Sequence, residues 1–147
     1  MQDTGNALNP CGLVVSIDFP HIASSPDVKV TNDLIIEVKC PFISRDKPVN
    51  TTTVPFLRFD GNGKFYLDQA HNYFYQIQSQ LLCTSAKKCT LIIYHADNLI
   101  INNIKYVIVC RDDQFIKEMV AKLSKFYQEY FQPALLDKLF YRPCIAL

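Results

Sequence analysis

An α/β domain built on a mixed sheet is predicted from two observations. Short apolar runs of strand character recur at residues 12–17, 34–40, 90–94 and 106–110, rich in Val, Ile and Leu. Two longer stretches, 69–84 and 113–135, repeat their apolar residues every three to five positions, the period of an amphipathic helix. The predicted order is strand, strand, strand, helix, strand, strand, helix. With 147 residues, 49% of them hydrophobic and 20% charged, the chain suffices for one domain with a real core and is not disordered.

Residues 1–11 are polar and carry Gly5 and Pro10, so they read as a flexible N-terminus. Gly12-Leu13-Val14-Val15-Ser16-Ile17 is the first strand, stopped by Asp18-Phe19-Pro20. His21, a lone histidine after a proline, reads as a surface or packing residue. Val30-Thr31-Asn32-Asp33 is turn chemistry, and a hairpin there lays Asp27 beside Glu37. Residues 43–66 form a polar loop insertion in which Arg45, Lys47, Arg58 and Lys64 are solvated or touch a phosphate backbone. Within it, Asp60-Gly61-Asn62-Gly63 joins Phe56-Leu57-Arg58-Phe59 to Lys64-Phe65-Tyr66-Leu67 as a hairpin.

Asp68 is predicted to cap the first helix, 69–84. Its Ala70, Phe74, Ile77 and Leu81 face the sheet, while Gln69, Asn72, Gln76 and Gln80 share another face. Thr90-Leu91-Ile92-Ile93-Tyr94 is a strand buried on both faces, 95–98 a turn, and 99–110 one or two strands broken near Asn102-Asn103. Asp112 or Asp113 caps the last helix. Phe115, Met119, Leu123, Phe126, Tyr130 and Leu135 give it a core stripe, and Pro133 kinks or ends it. Residues 140–147 are a tail.

Six cysteines, at 11, 40, 83, 89, 110 and 144, show no CxxC pair and no neighbouring His, which argues against a zinc site or redox motif. Cys40 and Cys110 end apolar runs and read as small core residues. No apolar stretch approaches the roughly 18 residues of a membrane span, and the chain lacks a signal peptide, so no membrane partner and an intracellular location are expected. A net charge of +1 weighs against a broad nonspecific nucleic-acid surface and leaves room for a local basic groove.

Chemistry concentrates between Ser24 and Pro41. Along Leu34-Ile35-Ile36-Glu37-Val38-Lys39-Cys40, alternation sends Glu37 and Lys39 to one face and Val38 to the other. With Asp27 folded alongside, two carboxylates and one ammonium share a site. Two carboxylates and a backbone carbonyl form a partial cage for Mg2+, which keeps several of its waters. Lys39 can then orient or help deprotonate an attacking water and stabilise the charge building on a phosphate. In most chains, Glu-x-Lys on a strand is a solvated salt bridge, and that alternative stays open.

Pro26-Asp27 followed by Glu37-Val38-Lys39 resembles the bipartite signature of the PD-(D/E)XK nuclease superfamily. Together, Ser24-Ser25-Pro26-Asp27, Glu37-Val38-Lys39-Cys40-Pro41 and Tyr73-Phe74-Tyr75-Gln76-Ile77-Gln78-Ser79-Gln80-Leu81 resemble the YqaJ-like viral recombinases, relatives of phage lambda exonuclease. The resemblance runs from about residue 12 to about 136. It implies a restriction-endonuclease-like sheet with flanking helices over residues 12–139 and a nuclease acting on DNA ends with Mg2+ or Mn2+. Asp27, Glu37 and the Val38 carbonyl would hold the metal, Lys39 and Gln76 serve the attacking water, and Ser25 and Tyr73 meet phosphate or DNA. Two positions depart from the family pattern: His21 stands where an aromatic is usual, and Val28 where a Gly often follows the Asp.

In that family a helical region supplying an Arg, a Ser and a metal-binding Glu precedes the first strand, and the chain starts almost at that strand. An N-terminally truncated domain is therefore expected, associating as a homo-oligomer or with a completing N-terminal polypeptide, and nuclear if eukaryotic. Two other readings stand beside the active nuclease. One is a catalytically defective nuclease fold that binds DNA or protein; the other is an unrelated α/β domain carrying the motifs by coincidence.

Overall fold

Turn chemistry sets the first element boundary. The Asp33 N–H donates to the Thr31 hydroxyl at 3.2 Å and the Val30 N–H to the Leu34 carbonyl at 3.0 Å. That turn joins β4 (Val28–Lys29) antiparallel to β5 (Leu34–Lys39), with Val28 opposite Ile36. The expected hairpin therefore forms, and Asp27 leaves it level with Glu37.

The computed structural model describes residues 9–42, 47–94 and 104–140. The readings of residues 1–8, of Arg45, of the turn at 95–98, of the break at Asn102-Asn103 and of the tail beyond 140 lie outside them. The chain divides into two units, Met1–Asp112 and Asp113–Leu147.

The first unit holds a five-stranded mixed sheet. After β1 (Asn9–Pro10) come β2 (Val14–Val15) and β3 (Ala23–Ser24), which pair with each other in a separate two-stranded sheet. Following β5, β6 (Leu57–Phe59) and β7 (Phe65–Leu67) make the expected hairpin. Gly63 closes it at φ +86°, a backbone state that glycine adopts freely. Then come α1 (Asn72–Thr84), β8 (Lys88–Ile93) and β9 (Lys105–Cys110). The sheet order is β1-β4-β5-β8-β9, with β5 and β8 parallel and the other pairs antiparallel. Parallel pairing demands a crossover, and α1 lies within it. Ile35 and Glu37 of β5, Cys89, Leu91 and Ile93 of β8, and Val107 and Val109 of β9 form the buried face, and Phe74, Ile77 and Leu81 of α1 are buried as expected.

Several expectations are corrected. The first strand shrinks to two residues because Ser16 ends its ladder: its hydroxyl accepts from the Phe19 N–H and its own N–H donates to Ile22. Residues 9 and 10 are not loose but pair with β4. Asp68 does not cap α1. Its carboxylate accepts from the Ala70 N–H and from Arg58, its carbonyl from the His71 N–H, and this turn delays the helix until His71 caps it by accepting from the Tyr73 N–H. Ala70 therefore lies outside the helix and is exposed. In β8 the second face, Thr90 and Ile92, is only half-buried. Cys40 and Cys110 are exposed, whereas Cys83 and Cys89 are buried.

The second unit is helical: α2 (Asp113–Phe126), a π-helical turn (Tyr127–Phe131) and α3 (Gln132–Phe140). Pro133 does not end it. The Gln132 N–H bonds the Tyr127 carbonyl, five residues back, and this wider turn leads into the proline that lacks an N–H. Ile116, Met119 and Val120 are its buried residues, so the predicted stripe keeps only Met119; Phe126, Tyr130 and Leu135 are exposed. Among the described residues no helix is long and apolar enough to cross a membrane.

Candidate active site

Glu37 sits in the middle of β5 with its carboxylate buried, 2% exposed, and three side-chain donors meet it. Lys39, two residues on and on the same strand face, donates to Oε1 at 2.5 Å. From α1, the Gln76 amide donates to Oε1 and the Gln80 amide to Oε2, both at 2.7 Å. The i, i+4 spacing of the two glutamines brings both amides to the same carboxylate. A buried charge persists only when paired and hydrogen-bonded, and these donors meet that requirement.

Asp27 is exposed and accepts from the Val38 N–H at 2.7 Å. In an extended strand a residue's N–H and C=O lie on the same edge, so the Val38 carbonyl also faces the edge where Asp27 sits and where β4 has already ended. The Lys39 ammonium also lies 4.6 Å from the centre of the Tyr73 ring, a cation–π contact. Ser25 is exposed, its hydroxyl 3.4 Å from the Cys11 carbonyl, and its own carbonyl accepts from Gln80 at 3.3 Å. Asp27, Glu37, Val38, Lys39, Gln76, Tyr73 and Ser25 are thus gathered in one neighbourhood. Arg58 is drawn elsewhere, paired with Asp68 at 2.6 Å.

Gln80 is the residue that sequence reasoning left without a role. It is fully buried, and its amide oxygen has no hydrogen-bond partner. The Gln80 amide is oriented by Glu37: turning it round would set oxygen against carboxylate. The only signal in the sequence was its place four residues after Gln76. Gln78, also fully buried, points to the other end of the sheet, donating to the Cys110 carbonyl and accepting from the Asp112 N–H.

Cys89, paired with Ile35 across the β5–β8 ladder and so diagonal to Glu37, is a second unforeseen neighbour. Burial, then the Glu37 carboxylate, pushes its thiol up from 9.0 to about 12. A proton held more tightly in the fold contributes stability that is complete below 9.0 and is lost as pH rises toward about 12. Unfolding in urea at pH about 8 and about 10 is therefore expected to show a steeper loss in the native chain than in Cys89→Ala. Equal losses would contradict the assignment.

Two carboxylates with a backbone carbonyl are a hard oxygen set that fits Mg2+ or Mn2+, which complete their shell with water and phosphate. Among the described residues no group of three or more His, Cys, Asp or Glu side chains is placed to hold a metal.

No protein-family model and no curated protein matches the chain. Among solved structures it is similar to the alkaline exonuclease LHK-Exo from Laribacter hongkongensis, with a TM-score of 0.67 and 23% identity over 93% of this chain and 62% of that one. The same enzyme in complex with dAMP gives 0.67 and 22%, over 92% and 63%. A phage-related exonuclease from Haemophilus somnus 129PT gives 0.58 and 19%, over 89% and 65%. The chain spans less than two thirds of the length of each of these proteins. Its mixed α/β architecture is the fold that these exonucleases share.

Proposed function

We propose that this chain is a metal-dependent DNA nuclease, an exonuclease of the viral-recombinase type that hydrolyses phosphodiesters at duplex ends. The observation that carries the reading is the buried Glu37 carboxylate on which Lys39 and Gln76 converge beside Asp27. A structural salt bridge needs neither burial of the acid nor amides drawn in from a distant helix. The exonuclease neighbours support the same class of reaction.

In this reading Asp27, Glu37 and the Val38 carbonyl hold Mg2+ or Mn2+. When bound, the metal supplies charge neutralisation at the phosphate and lowers the pKa of a coordinated water. Lys39, a point charge on a flexible stem, turns from Glu37 to the attacking water and offsets charge growing on the phosphate. Gln76 keeps Glu37 in place through one amide proton and offers the rest of its amide to the water. Ser25 and Tyr73 border the path of the DNA backbone.

The test is cleavage of linear duplex DNA bearing a phosphorylated end, in Mg2+ or Mn2+, by the full chain and by Lys39→Ala. Metal-dependent product that falls by about a hundredfold or more in the variant is expected. A folded chain that binds DNA without yielding product would favour the catalytically defective fold instead.

A further inference from the structure

One ring away from Lys39 lies a pocket of whose lining only Tyr73 has been given a role. Its volume is about 340 Å3, and Phe42, Phe56, His71 and Tyr73 line it, with Pro41 and Pro55. The inner rings brace one another: Phe56 meets Tyr73 at 4.8 Å and His71 at 5.2 Å, and His71 meets Tyr73 at 4.8 Å. Phe56 is 3% exposed, whereas Phe42, at 74%, stands at the surface. His71 Nδ1 accepts from the Tyr73 N–H, so the neutral ring carries its proton on Nε2 and keeps a hydrogen-bond donor. Among the described residues, no carboxylate, Lys or Arg lines the pocket.

We propose that this pocket binds a nucleobase, that of a nucleotide unstacked from the end of the DNA while its phosphate meets Lys39. The inference rests on the nuclease reading and specifies which part of the substrate goes where. Charge is divided as in a nucleotide: an ammonium on Tyr73, and beside the same ring a recess whose described lining is uncharged and largely aromatic. Aromatic faces stack on any base, and the histidine N–H meets acceptors at a base edge. A base at a duplex end is the cheapest to unstack, so the pocket favours ends over interior positions.

The probe is a short duplex labelled at its far end, in which one terminal nucleotide at a time, on either strand, is replaced by an abasic tetrahydrofuran. Binding is measured by anisotropy without divalent metal, for the native chain, Phe42→Ala and Phe56→Leu. At one position, loss of the base is expected to weaken binding by about tenfold or more in the native chain. In Phe42→Ala, an exposed change that leaves the core intact, the difference shrinks severalfold, and Phe56→Leu reproduces it if folded. Tight binding of the intact duplex with no sensitive position would overturn the pocket and leave the nuclease reading standing. Absence of any duplex binding, together with no cleavage of the same duplex once Mg2+ is added, would overturn both.

Discussion

Glu37→Ala is expected to abolish metal-dependent DNA cleavage and, separately, to destabilise the fold by about 3–5 kcal/mol, the usual penalty for breaking a buried charged pair. Two separate losses lie behind this. The substitution leaves the Lys39 ammonium and the Gln76 amide without the acceptor they share, and takes from Gln80 its shorter bond. It also removes one of the two carboxylates that would hold the metal. Urea unfolding reads the first effect and cleavage in Mg2+ the second. Unchanged stability would mean that the donors do not meet the carboxylate in solution, whereas full activity in a folded variant would remove Glu37 from the chemistry.

Gln80 carries the second large expectation. Gln80→Ala should lower cleavage by about 10–100-fold, the range for a partner that orients a metal-binding group. Ser25 loses a donor at the same time, so the loop that carries Asp27 loosens as well. Gln80→Glu should be worse than alanine, because a second carboxylate would stand 2.7 Å from Glu37 Oε2 in a buried place. If glutamate proves milder than alanine, the amide is filling space and not holding Glu37. Kinetics at saturating and limiting Mg2+, alongside thermal unfolding of both variants, make the comparison.

The parts of this site visible in the sequence were those governed by local geometry. Period-two alternation placed Glu37 and Lys39 on one face, and turn chemistry at Thr31-Asn32-Asp33 predicted the return that brings Asp27 level with Glu37. Tyr73 and Gln76 were singled out through a motif; the structure sets the Gln76 amide 2.7 Å from Glu37 and the Lys39 amine 4.6 Å from the centre of the Tyr73 ring, without assigning their chemistry. Gln80 stayed hidden because an exposed glutamine and a buried one look alike in a helix sequence; only the packing of α1 beside β5 distinguishes them. Competing side-chain bonds explain the boundary errors: Ser16 cut short a strand that composition favoured, and Asp68 spent its carboxylate on a turn and on Arg58. The apolar stripe of the last helix failed because periodicity reports amphipathicity, not what covers it.

The parallel pairing of β5 with β8 bears on the order in which the chain can fold. The amides that reach Glu37 lie 39 and 43 residues away from it, and no local hairpin can deliver them. Chain closure over such separations is paid in entropy before any contact returns it. The carboxylate must therefore stay hydrated through the early, local stages, while the hairpins at β4–β5 and β6–β7 form, and it sheds water only as α1 arrives. Substitutions at Gln76 and Gln80 should accordingly speed unfolding far more than they slow refolding, placing them among the positions with low φ-values.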